Sequence, residues 1–222
     1  MKTIFFKYPL EILKYWFKKT GLFTSTIAEA GAFIKTRDDL EAPNIQYHYA
    51  PAMVVDHGRT AVWGTGMSCH SCLLRPKSRG EVTLESADPF ADPLIDPKFL
   101  SHPDDVKDMI DGYKIMMKVL NTQPFTKYIQ EHTQRPVDIN DDADIELAIR
   151  EDADTVYHPV GTCKMGNDDM SVVNNRLKVH NMNNLRVVDA SIMPTLVGGN
   201  TNAPTIMIGE KASDMIIDDW NL

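Results

Sequence analysis

The sequence predicts an α+β chain: an antiparallel sheet with flanking helices, followed by a strand–loop–helix unit that belongs to an α/β layer. Three observations predict it. Short β-rich runs separated by turn residues fill Ile45 to Ser86. One apolar stripe of helical period runs from Val106 to Leu120. Asn184 to Asp189 reads as a strand that leads through a Gly-rich loop into a last helix.

Each element has a local reason. The first stretch, MKTIFFKYPLEILKYWFKKTG, is apolar and basic, and the spacing of Leu10, Leu13 and Phe17 with lysines between them predicts a short amphipathic helix ending at Gly21. Charged residues break its apolar runs too often for a signal peptide core of about 7–15 residues or a membrane helix of about 20. Five lysines against one glutamate leave it locally positive, which reads as a solvated helix face ahead of membrane-surface binding. The runs Ile45–Tyr49, Met53–Val55, Met67–Leu74 and Glu81–Leu84 predict strands, with turns at Asp56-His57-Gly58 and at Lys77-Ser78-Arg79-Gly80. The last two runs are expected to pair as an antiparallel hairpin. Pro89, Pro93 and Pro97 make Ala87 to Pro97 an extended loop.

Val106, Met109, Ile110, Tyr113, Met117 and Leu120 then fall on one helix face, with Asp104 and Asp105 in the first turn, where the helix dipole favours anions. Pro124 bars continuation. A shorter helix from Asp142 to Glu151 turns Ile145, Ala148 and Ile149 inward; the seven acidic residues between Asp141 and Asp154 read as a solvated face. The last helix opens near Pro204, a favoured first-turn residue, and buries Ile208, Ala212, Met215 and Ile216.

Composition narrows the function. The chain has 222 residues, 43% hydrophobic and 24% charged, and is globular by composition. Acidic residues outnumber basic ones, 31 to 23, which disfavours a nucleic-acid partner. Three cysteines are no disulfide framework and favour a reducing, cytoplasmic setting, with peripheral membrane contact through the basic N-terminus as the lesser alternative. No integral membrane segment is predicted.

Four motifs invite chemistry. Cys69-His70-Ser71-Cys72 has zinc or thiol-redox spacing, but inside a strand the two sulfurs point to opposite faces. No metal site is therefore expected. Gly64-Thr65-Gly66 leads into a strand, whereas a dinucleotide loop follows one and opens a helix; neither that loop nor a Walker-type loop occurs. In Tyr157-His158-Pro159-Val160-Gly161-Thr162-Cys163-Lys164-Met165-Gly166, Pro159 drives His158 out of helical conformation and the glycines permit tight turns, so His158 is presented from an irregular loop as general bases are. Gly198-Gly199-Asn200-Thr201-Asn202-Ala203-Pro204 places amides and backbone N–H groups at a helix start, which suits an electron-rich ligand atom as well as a plain Asn cap.

Together these residues resemble the C-terminal half of a glucose–methanol–choline (GMC) flavoprotein oxidoreductase. The resemblance is carried by His158 to Gly166 and by Asn184-Leu-Arg-Val-Val-Asp-Ala-Ser-Ile-Met-Pro194 through Gly199 to Ile216. Leu74 to Gly80 and Ile95 to Leu100 also match, and the likeness extends from about Gly21 to Ile217. It implies FAD as cofactor and a small-molecule alcohol as substrate. The mechanism it implies is hydride transfer from the carbinol carbon to flavin N5, with His158 matching the active-site histidine that serves as general base or hydrogen-bond partner of the substrate hydroxyl and so removes its proton. Asn202 matches the position that hydrogen-bonds the alcohol oxygen. Asp189 and Ala190 match positions along the ribityl chain, and Asn202, Ala203 and Pro204 resemble the helix start against the flavin pyrimidine ring. Residues 1–165 correspond to a partial substrate-binding domain carrying the histidine loop, and 166–222 to a segment returning to the FAD-binding domain.

Ala28 to Phe33 resembles the alcohol dehydrogenases of the family more than its choline enzymes, although Glu29 leaves a choline dehydrogenase as the alternative. A non-catalytic remnant of the same fold is the second alternative; retention of both His158 and Asn202 speaks against it. A metal-site protein using the cysteines with His158 or His180 is the third. Nothing in the sequence singles out an electron acceptor. The family's N-terminal Rossmann part, with its GxGxxG loop, is not in this sequence, so the chain is expected not to hold FAD tightly without the N-terminal half; a purified protein that stays yellow with stoichiometric flavin would refute this.

Overall fold

A computed structural model describes residues 2–26, 28–56, 59–60, 66–129, 132 and 135–221, with the backbone alone for 2–8. The turn expected at His57-Gly58 and the Gly64-Thr65 pair lie outside the described residues.

Helix α1, Lys2–Lys18, forms as the apolar spacing predicts, and a 3-10 turn at Leu22–Thr24 follows Gly21. Its stripe of Leu10, Leu13 and Phe17 is exposed and not packed into a core. Strands β1 (Ala30–Ile34), β2 (Ile45–Ala50) and β3 (Ser68–Leu73) make an antiparallel sheet in that order, with Phe33 opposite Gln46, Gln46 opposite Cys72, and His48 opposite His70. Alternation along β2 sends Ile45 and Tyr47 to one face and Gln46 and His48 to the other. The first face meets helix α2, Pro103–Leu120, where Ile45 and Tyr47 pack with Met116 and Leu120. A Cβ at Gly112 would stand 3.1 Å from the Ile45 side chain, so the helix lies close on the sheet, and the Tyr47 hydroxyl donates to the Gly112 carbonyl at 2.6 Å.

After α2 the chain makes one more short helix, α3 at Gln123–Thr126, with Pro124 in its first turn, where proline's missing N–H costs nothing. Helix α4, Asp142–Asp152, is capped by Asp141 accepting from the Ala143 N–H at 2.9 Å; Ile145 and Ile149 close a second core with Val106 and Ile110 of α2. Among the described residues no helix is long and apolar enough to cross a membrane.

Four expectations need correction. Met67–Leu74 and Glu81–Leu84 do not form a hairpin. The Lys77 and Ser78 N–H groups donate instead to Asp105, both at 2.8 Å, which draws the intervening turn onto the start of α2. β3 therefore pairs only with β2, while β4 (Glu81–Thr83) takes its partner from β5 (Leu94–Asp96), inside the segment read as a loop. Pro93 and Pro97 limit β5 to three residues rather than forbidding it. Met53–Val55 forms no strand. Asn184–Asp189 is likewise not a strand but a single bridge, Lys178 to Arg186, in a stretch punctuated by positive φ at Leu177, Asn181 and Asn184.

The last helix, α5, spans Asn202–Trp220. Ile208 and Ala212 pack with Val173, Leu177, Ile192 and Met193, and Val160, Met165 and Met215 join this core from its edge. Arg176, Lys178 and Arg186 converge on Asp219 and tie the end of α5 to the preceding loops.

Candidate functional site

His158 sits on an irregular segment after Tyr157, whose φ of 62° turns the chain sharply. Pro159 excludes helix, and Gly161 takes φ +87°, where a Cβ would press to 3.3 Å on the Met193 carbonyl. The loop is then pinned to the neighbouring segment: the Cys163 N–H donates to the Ser191 carbonyl at 3.1 Å and the Met165 N–H to the Ile192 carbonyl at 2.8 Å. Two motifs far apart in sequence thus become one ledge.

Above that ledge the Gly198-Gly199 loop brings Thr201 against His158, with 2.8 Å between Thr201 Oγ1 and His158 Nδ1. Thr201 is buried and His158 is exposed. The remaining wall of the cleft is the second face of the sheet, Gln46, His48 and Cys72, with apolar closure from Val156, Leu196 and Val197. Among the described residues His48 Nε2 is buried without a hydrogen-bond partner, and burial lowers the pKa of the ring, which favours its neutral form.

Asn202 and Ala203 form the exposed first turn of α5, with Pro204 behind them. Asp189 caps the short turn Ala190–Ile192, accepting from the Ser191 N–H at 2.7 Å, and Ala190 packs on the C-terminal core. The structure therefore gathers His158 with Gly199, Asn200 and Thr201 at one cleft, leaves Asn202, Ala203 and Pro204 outside its lining on the first turn of α5, and sets Asp189 and Ala190 on the ledge that carries the histidine loop. The amides do not cap α5. The N-cap is Thr201, and it makes no side-chain cap bond.

Sequence reasoning missed Thr201, Gln46, His48 and Cys72 as cleft residues. The alternation of Ile45-Gln46-Tyr47-His48 was the available signal for the sheet face, and Thr201 lay unremarked between two amides. Cys69 and Cys72 do point apart. Cys69 enters the core under the sheet, where burial raises its thiol to about 11, and Cys72 faces the cleft, its pKa also raised by burial. Both thiols are held away from the reactive thiolate form. No group of three His, Cys, Asp or Glu side chains able to hold a metal ion occurs among the described residues.

The start of α5 fits the edge of a flavin ring. Its first N–H groups have no intrahelical partner and no side-chain cap, Asn202 and Ala203 are exposed, and a side chain at Gly199 would meet nothing within 4 Å.

The family model described as GMC oxidoreductase matches residues 76–209. An alcohol dehydrogenase [acceptor] of Pseudomonas putida is 47% identical over 206 residues, covering 93% of this chain and 37% of that enzyme. An oxygen-dependent choline dehydrogenase of Klebsiella pneumoniae is 42% identical over 203 residues, 91% of this chain and 37% of that protein. Among solved structures, formate oxidase of Aspergillus oryzae superposes with a TM-score of 0.85 at 25% identity, over 95% of this chain and 41% of that one. The chain spans just over a third of the length of the curated relatives it matches.

Proposed function

Because the chain belongs to the GMC oxidoreductase family, we propose that it forms the substrate side of an FAD-dependent oxidoreductase acting on CH–OH groups, oxidising a primary alcohol to an aldehyde. In this reading residues 1–165 supply the substrate-binding part and 166–222 return to the flavin. The single observation that carries it is the contact of His158 with Thr201, the residue from which α5 starts, at the rim of one cleft.

The alcohol enters between the ledge and the sheet face. His158 takes the hydroxyl proton on the ring nitrogen not engaged by Thr201, and a near-neutral base suits a proton too weakly acidic to leave unaided. Asn202 holds the alcohol oxygen, and the first turn of α5 with Asp189 and Ala190 holds the cofactor. When bound, the flavin supplies the acceptor for the hydride that leaves the carbinol carbon. The sequence contains no phosphate cradle, so the pyrophosphate of FAD is assigned to a segment other than these residues.

A neutral alcohol is favoured over choline. Among the described residues the cleft lining, Gln46, His48, Cys72, Val156, Leu196 and Val197 included, holds neither a carboxylate nor a Phe, Tyr or Trp face for a quaternary ammonium group.

The test is dye reduction by this chain combined with an N-terminal FAD-binding half of the family and loaded with FAD. Aliphatic primary alcohols are expected to turn over, choline is not, and His158→Ala is expected to lose at least about 10²-fold. Turnover unchanged in His158→Ala, or confined to choline, would overturn the assignment.

A further inference from the structure

An N-cap threonine ordinarily spends its hydroxyl on the helix, accepting from an N–H of the first turn, and loss of that bond destabilises the helix. Thr201 does not. It stands at the N-cap of a 19-residue helix, makes no cap bond, is buried, and instead places Oγ1 2.8 Å from His158 Nδ1. Its backbone carbonyl still serves the helix, accepting from both the Thr205 N–H at 3.0 Å and the Thr205 hydroxyl at 2.7 Å. Only the hydroxyl has been diverted, and it goes to the one histidine on the ledge.

We propose that Thr201 is the positioning residue of the site: it fixes the ring orientation and tautomer of His158 by accepting the Nδ1–H, which leaves the Nε2 lone pair as the base. This rests on the reading of His158 as general base and adds to it. The direction of the bond follows from what a base must do. If the threonine donated to Nδ1, the ring proton would sit on Nε2 and the nitrogen left for the substrate would be a donor. The bond would also break once the ring gained a second proton. With Nδ1–H donating to Oγ1, the same bond survives proton uptake and strengthens, because a hydrogen bond from an imidazolium is charge-assisted. Burial keeps water from competing for Oγ1. The other titratable groups lining the cleft, His48 and Cys72, lie on the sheet side, and Arg75 rests against Gly198 behind the loop.

The test reads the tautomer directly. In the 222-residue chain carrying 15N-labelled histidine, the nitrogen shifts of neutral His158 are expected to place its proton on Nδ1. Thr201→Val, which keeps the shape and removes the hydroxyl, is expected to release it to a mixture dominated by Nε2–H, and Thr201→Ser to restore it. A wild-type proton on Nε2, or a tautomer that Thr201→Val leaves in place, would overturn the proposal, and the first of these needs no variant to fold. With an N-terminal FAD-binding half supplied and FAD loaded, Thr201→Val is expected to lower kcat roughly tenfold, in the range for loss of a histidine's orienting partner, with KM within about twofold and recovery in Thr201→Ser. If His158→Ala proves fully active while the tautomer follows Thr201, the general-base reading falls and the positioning role stands.

Discussion

Residues 30–152 and residues 157–220 reach order by different means, and two aspartates show how. In the first region regular strands and helices enclose the cores, and Asp105 lies at the seam, almost wholly buried, accepting from the Lys77 and Ser78 N–H groups and the Ser78 hydroxyl. In the second, loops with isolated bridges pack on a single helix, and Asp219 sits near the surface among Arg176, Lys178 and Arg186. One carboxylate closes backbone hydrogen bonds that nothing else would satisfy; the other gathers charges that water could also solvate. The sheet region is thus the rigid platform, and the loop region presents His158 and the start of α5 above it.

That contrast can be broken experimentally. The largest effect is expected at the seam. Asp105→Ala removes the acceptor of two part-buried N–H groups and should cost about 1–3 kcal/mol, read as a lower denaturation midpoint with unchanged slope. A loss below about 0.5 kcal/mol would mean the seam is solvated and the platform is not rigid there.

Asp219 should yield a smaller effect with a defined pH window. Its cations, Lys178 foremost through a side-chain hydrogen bond, lower its pKa to about 2. A carboxylate held below its unfolded value, near 3.9, stabilises the native state above that value. The contribution falls away as pH drops through it towards about 2. Asp219→Asn should therefore lower Tm at neutral pH and match the wild type near pH 2. A Tm difference that persists at that pH would mean Asp219 acts by packing rather than charge.

The smallest effect belongs to His48, which shares the cleft with His158 and Cys72 and lies opposite His70 on the neighbouring strand. Burial lowers its pKa, so the unfolded chain binds a proton more readily than the folded one. Stability at this site is full above about pH 6.5 and declines as pH falls through that value. His48→Gln should flatten the stability profile between about pH 7 and 5. An unaltered profile would show that His48 takes up its proton freely in the folded cleft.

Local rules reached far in the platform. Alternation in Ile45-Gln46-Tyr47-His48 and the 3.6-residue stripe from Val106 to Leu120 are properties of consecutive residues, so β2 and α2 could be read directly. Strand pairing could not be. The partner of Glu81–Thr83 depended on where Asp105 pulled the preceding turn, and that carboxylate arrives from a helix more than twenty residues away. In the candidate site, the irregular loop of His158 and the start of α5 were legible because Pro159 and Pro204 mark their backbone contexts; the roles of His158 and Asn202 are what the family resemblance implies. Thr201 was not, since an N-cap threonine reads as a cap until a distant ring is seen to claim its hydroxyl.

By itself, then, the sequence determined the four longer helices, the strand character of β2 and β3, the loop that carries His158 and the kinship to the GMC oxidoreductases. Each depends on residue type and short spacing. Only the tertiary structure decided which strands pair, that the 161–165 and 191–193 segments run together, and that the sheet's polar face closes the cleft beneath His158. Those outcomes rest on hydrogen bonds between residues tens of positions apart, whose donors and acceptors choose among several partners only once the chain has folded.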